Sequence, residues 1–323
     1  MSTATVRILI ALVSIVLLAS AIRAAQFTSS LSGPVVGYVF DRNAAKLRPV
    51  RGMLGSATVG EPIELGFGIS QALVLDERRF IASTDANGDL LMLTLEGGQI
   101  STVAVPEALA SPTRSAISLQ GTSAAFYYAQ KKQVRIAAGL PNEPRHVATF
   151  QLDRPVTQMA VNDDGTLLVF SVAEEEGQAI YVLTASSAIP RFLTSAASVS
   201  GISITRNGDA IVTDRAANEV FALWDAAGGA VRKLLADATD GVSSPVGVTV
   251  SANRIYIANA GSVLTLDGNG RFLRSLRCNC PVSGLHPLRD SVFRLTDGIT
   301  QTIFLLDARA AEERILFVPP PLN

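Results

Sequence analysis

Val199–Ala236 reads VSGISITRNGDAIVTDRAANEVFALWDAAGGAVRKLLA. GISIT and AIVTD are short runs in which apolar residues alternate with small or polar ones, the two-residue period of a strand. RNGD joins them as a tight turn. VFALWD and VRKLLA follow, joined by AAGG. Asn207-Gly208 and Gly228-Gly229 tolerate the positive φ that hairpin turns demand. Val, Ile and Phe enrich the runs, as β-strands favour. The stretch therefore spells four antiparallel strands in sequence.

One such sheet cannot bury both its faces, so the fold depends on whether the pattern recurs. It does. From Pro245 the chain reads VGVTV, RIYIAN, VLTLD and RFLRSL, with short polar breaks between. Looser copies occupy Ile69–Val105, Ser115–Phe150, Val156–Phe192 and Val282–Val318. Their starts lie near 69, 115, 156, 199, 245 and 282, a mean period of about 43 residues. Four strands in 40 to 50 residues is the unit of a β-propeller blade, whereas a β-sandwich needs roughly 100 residues. Beyond residue 25 no long helix is expected.

The fold class is thus all-β, a propeller of four-stranded antiparallel blades spanning 33–319, with 320–323 as a tail. Upstream of the six copies, VVGYVF at 35–40 and LRPVR at 47–51 read as two strands, and Glu64–Phe67 as a third. The last copy already holds four strands. The N-terminal piece is then a seventh blade, and seven is the expected count, with six its rival. Closure matters because an open ring would leave a bare face and edge. Gly201, Gly247 and Gly284 each fall near the start of a first strand and should lie near the axis, where backbones approach closely.

The residues PVGVTVSANRIYIAN and GISITRNGDAIVTDRAANEVFAL resemble the bacterial β-propeller proteins with NHL- or YncE-like repeats. The resemblance covers about residues 65 to 319 and implies the propeller fold at superfamily level. No Trp-Asp closes a blade in the WD40 manner.

Composition bounds the function. Of 323 residues 48% are hydrophobic, which excludes a disordered chain. Lys plus Arg is 27 against 28 for Asp plus Glu, which argues against nucleic acid as a partner. Two Cys and two His leave little for a zinc module. Residues 1–25 read as a signal peptide: Arg7, then an apolar run from Ile8 to Ile22, too short to span a bilayer. Cleavage would follow Ala21 or Ala24; a retained anchor is the alternative. An extracytoplasmic location follows, periplasmic, secreted or cell-surface, and with a cleaved peptide there is no membrane span.

Four second strands end in a short polar residue: Asp85, Asp214, Asn259 and Asp297. Recurrence favours capping of the following turn. The functional reading is a set of cation ligands lining a channel. Cys278-Asn279-Cys280 can form a disulfide, which export would preserve. A soft-metal site would need more ligands, such as His286. Glu174–Glu176 and Asn162-Asp163-Asp164-Gly165 read as turns, too short for a calcium loop. There is no G-x-S-x-G elbow, no P-loop and no dinucleotide pattern. A single Trp argues against the quinone-cofactor propellers, whose docking motifs are Trp-rich.

Two functions remain. One is an exported, non-catalytic binding scaffold without cofactor, a monomer whose partner is a protein, peptide or glycan. The other is a metal-dependent propeller hydrolase or lactonase, implied by relatives that hold a divalent cation such as Ca2+ in the channel.

Overall fold

A computed structural model describes residues 33–320 except 97–98, 252, 298–301 and 310–311. The signal-peptide reading of residues 1–25 and most of the tail lie outside the described residues. The strands fall into seven sheets that form a ring, the blade count expected from the repeat.

Blade 1 holds β1 (Val35–Asp41), β2 (Lys46–Arg51) and β3 (Thr58–Val59). Blade 2 holds β4 (Ile69–Val74), β5 (Arg79–Thr84), β6 (Leu90–Glu96) and β7 (Gln99–Ala104). Blade 3 holds β8 (Arg114–Ile117), β9 (Ser123–Tyr128), β10 (Gln133–Ala138) and β11 (Arg145–Gln151). Blade 4 holds β12 (Val156–Val161), β13 (Leu167–Ala173), β14 (Gln178–Thr184) and β15 (Ser187–Ala196). Blade 5 holds β16 (Val199–Ile204), β17 (Ala210–Asp214), β18 (Glu219–Trp224) and β19 (Val231–Ala236). Blade 6 holds β20 (Gly247–Ser251), β21 (Arg254–Asn259), β22 (Ser262–Asp267) and β23 (Phe272–Arg277). Blade 7 holds β24 (His286–Arg289), β25 (Val292–Arg294), β26 (Ile303–Asp307) and β27 (Arg314–Val318).

Within each blade consecutive strands pair antiparallel. The apolar positions of each strand pack toward the adjoining blades, and a buried cluster fills every seam. Ile136 and Phe170 join blades 3 and 4. Phe221 and Val182 join 4 and 5; Ile211 and Ile257 join 5 and 6; Tyr256 and Phe293 join 6 and 7. The ring closes the same way: Val36, Val39 and Val50 of blade 1 meet Leu288, Ile303 and Leu305 of blade 7. Among the described residues, closure is by packing of two sheets, and blades 1 and 7 share no strand.

A second tie joins blades 6 and 7. Glu313, just before β27, is buried and accepts hydrogen bonds from Thr265 Oγ1 at 2.7 Å, Tyr256 Oη at 3.3 Å and Arg254 Nη1. Burial, with the Glu313 charge next in effect, pushes the Tyr256 phenol up to about 12, so it stays a donor at any ordinary pH.

Gly201 and Gly247 lie on the inner strands β16 and β20, and Gly284 lies just before β24. A Cβ on Gly201 would stand 2.9 Å from Gly247 Cα, and one on Gly247 would stand 3.6 Å from Gly284 Cα. Small residues let β16, β20 and the approach to β24 converge.

Blade 1 departs from the other six. Its third strand is Thr58–Val59 and not Glu64–Phe67; the line continues through Gly60 N–H to Pro49 O and Ile63 N–H to Leu47 O, both 2.8 Å. Glycines and Pro62 around so short a strand hide it from a propensity reading.

Its first strand also runs the other way. In blades 2 to 7 the turn after the inner strand lies on one face of the ring, the lower face. Val35 begins β1 at that face, where its carbonyl accepts Arg289 Nη1 from the lower end of β24, 3.4 Å away. The turn that ends β1 lies at the upper face, where the Arg42 charge acts on Arg294 and Asp297. β1 therefore holds a second strand's place. Its turn agrees with that of β17. Asp41 Oδ1 accepts the N–H of Asn43 and Ala44, and Asp214 Oδ1 those of Ala216 and Ala217. Ala45 and Asn218, four residues after each Asp, adopt φ of 52° and 54°. Among the described residues no strand lies inside β1.

Candidate functional site

The inner strands leave a cavity of about 640 Å³, open toward the lower face. That is an ordinary volume for a ligand site. Its wall comes from β4, β8, β12, β16, β20 and the lower end of β24. Apolar side chains such as Ile117, Met159, Ile202 and Val248 alternate with Ser115, Ser203, Thr249 and Ser251. Strand period explains the mixture, because neighbouring positions face the channel or the adjoining blade in turn. Ser251 Oγ and Ser291 Oγ share a hydrogen bond of 2.6 Å. Ser115 Oγ is buried and without a partner. One aromatic, Phe293, contributes to the wall.

The mouth is charged with both signs. Arg206 comes from the β16–β17 turn, and Arg289 and Asp290 from the β24–β25 turn. Asp76 comes from the β4–β5 turn, where it accepts the N–H of Arg78 and Arg79 at 2.9 and 3.0 Å. A second hollow of about 550 Å³ adjoins it, lined by Asp76–Arg79, Glu96, Arg289 and Asp290. Arg289 Nη2 pairs with Glu77 Oε2 at 3.0 Å, which ties blade 7 to blade 2 past blade 1.

The four candidate ligands sit elsewhere, on the upper turns. Asp85 is exposed, and its N–H donates to Gly68 O at 3.1 Å. Asp214 is buried; besides its own turn it accepts Ala197 N–H at 2.6 Å and Ser198 N–H at 2.9 Å. Asn259 is buried, accepts Ser243 N–H at 3.1 Å, and donates to Gly241 O and Ser262 Oγ. Asp297 pairs with His286 Nε2 at 3.2 Å and Arg294 Nη2 at 4.0 Å. The His286 ring beside it holds its carboxyl down to about 2, helped by the Arg294 and Arg42 charges and opposed by burial. Burial in turn lowers the Arg294 guanidinium. Each residue thus serves its own blade. Among the described residues no three His, Cys, Asp or Glu side chains converge in metal-binding reach.

Cys278 and Cys280 are bonded to each other, their Cα atoms 5.1 Å apart, in the link between blades 6 and 7. Both are buried beside Val282 and Leu295. The sequence reading did not single out Arg206, Arg289, Asp76 or Glu313. Arg206 stands inside the very RNGD turn that identified the fold; only the ring brings it beside the others.

The sequence matches no protein-family model and no curated protein. The fold is similar to that of a functionally unknown protein from Desulfotomaculum acetoxidans: TM-score 0.59, 13% identity, 88% of this chain and 99% of that one. Virginiamycin B lyase from Staphylococcus aureus gives 0.51 at 12% identity, over 86% of this chain and 92% of the lyase. A prolyl endopeptidase gives 0.51 at 12% identity, over 90% of this chain and 51% of that one, so this chain spans about half its length. At such identities the likeness is one of fold alone, and propeller folds host many activities.

Proposed function

We propose that this chain is an exported, non-catalytic binding scaffold that takes an extended peptide at the lower mouth of its channel. The observation that carries the reading is the mouth itself. Arg206, Arg289, Asp76 and Asp290 surround a cavity walled by apolar and hydroxyl side chains. A peptide has the matching chemistry: backbone groups for the hydroxyls, apolar side chains for the wall, charges of both signs for the rim. A glycan site would call for several aromatic faces, and Phe293 alone is present. Among the acidic residues that a hydrolase would need, Asp214 is committed to four backbone amides. Export draws on the N-terminal sequence and suits the Cys278–Cys280 bond, which an oxidising compartment preserves.

Selection of random decapeptides on the purified chain tests this. Selected peptides should bind the unchanged protein and lose at least tenfold in affinity to Arg206→Glu. Equal binding by that variant places the site elsewhere. Elemental mass spectrometry on the same sample tests the rival reading. A stoichiometric divalent ion such as Ca2+, lost with Asp214→Ala or Asn259→Ala, would favour the metal-dependent hydrolase or lactonase.

A further inference from the structure

We propose that the outer rim of blades 4 to 6 docks on an anionic phospholipid surface. The inference does not depend on the proposed peptide site.

The outermost strands of these blades are β15, β19 and β23. Six of their large apolar side chains face solvent: Ile189, Phe192, Val231, Leu234, Phe272 and Leu273, between 46% and 78% exposed. Single exposed apolar residues are ordinary, but a run of them on adjoining elements marks an interaction surface.

The three rims adjoin. Arg191 of β15 donates from Nη2 to Ala226 O, just before β19, at 2.7 Å. Gly270, in the turn before β23, lies against β19: a Cβ on it would stand 2.6 Å from Leu235 Cδ2. Consecutive strands run antiparallel, so the turn before each outer strand lies on the lower face. Ile189, Val231 and Phe272, early in their strands, therefore share the lower part of the rim.

Charge is segregated on the same strands. They carry Arg191, Arg232, Lys233, Arg274 and Arg277 and no Asp or Glu. The whole chain is balanced, 27 Lys plus Arg against 28 Asp plus Glu. Arg232 is taken by Glu219 and by the Phe221 ring. Among the described residues no ion pair reaches Lys233, Arg271, Arg274 or Arg277. The carboxylates of the two turns, Asp225 and Asp267, hold backbone amides of those turns.

Charge on an edge strand also guards it against pairing with another chain. Guarding does not call for Phe272 and Leu273 beside Arg271 and Arg274. The other blades show the difference. In blade 3, β11 carries Arg145 and exposes no large apolar side chain. In blade 2, β7 exposes Val103 and carries no cation. In blade 7, β27 exposes Phe317, but its Arg314 pairs with Asp307. Apolar tips flanked by free cations suit the headgroup boundary of an anionic bilayer: the tips enter it, and the long basic side chains reach the phosphates. Nucleic acid would take the cations and leave Ile189, Val231 and Leu273 unused.

Phe272→Trp in the full chain gives a local probe beside the native Trp224. Its emission should shift to the blue with phosphatidylglycerol vesicles and stay put with phosphatidylcholine. Val103→Trp, on β7 of blade 2, should shift with neither. Co-sedimentation gives the affinity. Lys233→Glu with Arg271→Glu should cut partition onto phosphatidylglycerol vesicles at least about tenfold. All these side chains are exposed, and an unchanged thermal transition checks that the variants fold. The apolar run Ile8–Ile22 would bind both lipids, so the difference between them is the readout. Equal partition onto the two lipids, no loss in the double variant, or a Val103→Trp shift equal to that of Phe272→Trp overturns the proposal. Binding of polyglutamate without binding of vesicles also overturns it, in favour of an acidic protein.

Discussion

Blades 1 and 5 end their second strands in the same turn and differ in what that turn holds. In blade 5 one Asp214 oxygen caps the turn, and the carboxylate also receives the N–H of Ala197 and Ser198, which lead into the inner strand. In blade 1 Asp41 Oδ1 caps the turn, and its Oδ2 accepts Arg48 Nε at 2.9 Å from within the hairpin. The same residue type therefore ties a whole blade together in one case and a single hairpin in the other. A capping motif shows where a turn is; what else it fastens depends on which strand lies beside it.

The largest expected effects test whether the two blades belong to one cooperative ring. Phe221 is fully buried between blades 4 and 5, and Phe221→Ala should cost about 3–5 kcal/mol. Leu47, equally hidden between blades 1 and 2, should cost about 2–5 kcal/mol on truncation to Ala. Both should lower one sharp thermal transition. A separate, earlier transition in the Leu47 variant would show that blade 1 unfolds by itself and would end the comparison.

The Asp pair sharpens it. Asp214→Ala leaves four amides unpaired, and about 2–3 kcal/mol should be lost. Asp41→Ala frees two amides and one guanidinium, and about 1–2 kcal/mol should be lost. Denaturant midpoints measure both. A cost for Asp41 as large as that for Asp214 would mean that a cap within one hairpin matters as much as a tie across a whole blade.

The smallest effect concerns the closing seam on the upper face. Asp297 of blade 7 feels Arg42 of blade 1, and its carboxyl titrates at about 2 in the folded chain. An ordinary Asp titrates near ~3.9. A depressed folded value means a stabilisation that is complete above the unfolded value and lost as pH falls through the folded one. About half of the side chain is exposed, so solvent screening keeps the effect modest. Asp297→Asn should lower Tm at pH 5, and the gap should narrow steadily as pH falls to 2. A gap unchanged across that window would show that the carboxylate charge contributes nothing there.

Much of this was legible in the residues. Blade 5 announced itself because its two tight turns carry Asn-Gly and Gly-Gly, and its strands alternate. The recurrence near every 43 residues led to the ring. The strand end at Asp214 and Asn259 was correctly placed, and so was the line from Gly201 to Gly284. The upstream strand at 64–67 was misplaced because β3 has two residues and glycine on its flank, too little for any periodicity.

The channel mouth was not legible. Asp76, Arg206 and Arg289 belong to three turns far apart in the chain, and each reads locally as a solvated hairpin tip. Their meeting is a property of the ring. The same holds for Glu313, whose partners Arg254, Tyr256 and Thr265 stand in the preceding blade.

Sequence by itself therefore determined the repeat unit and its strand order, and favoured seven copies over six, because turn chemistry and two-residue alternation act over a few neighbours. Only the tertiary structure decided which side chains share the channel, that closure among the described residues is by packing of two sheets, and that the first strand stands in second place. Those are matters of direction and distance between segments a blade or more apart, and local propensity carries no information about them.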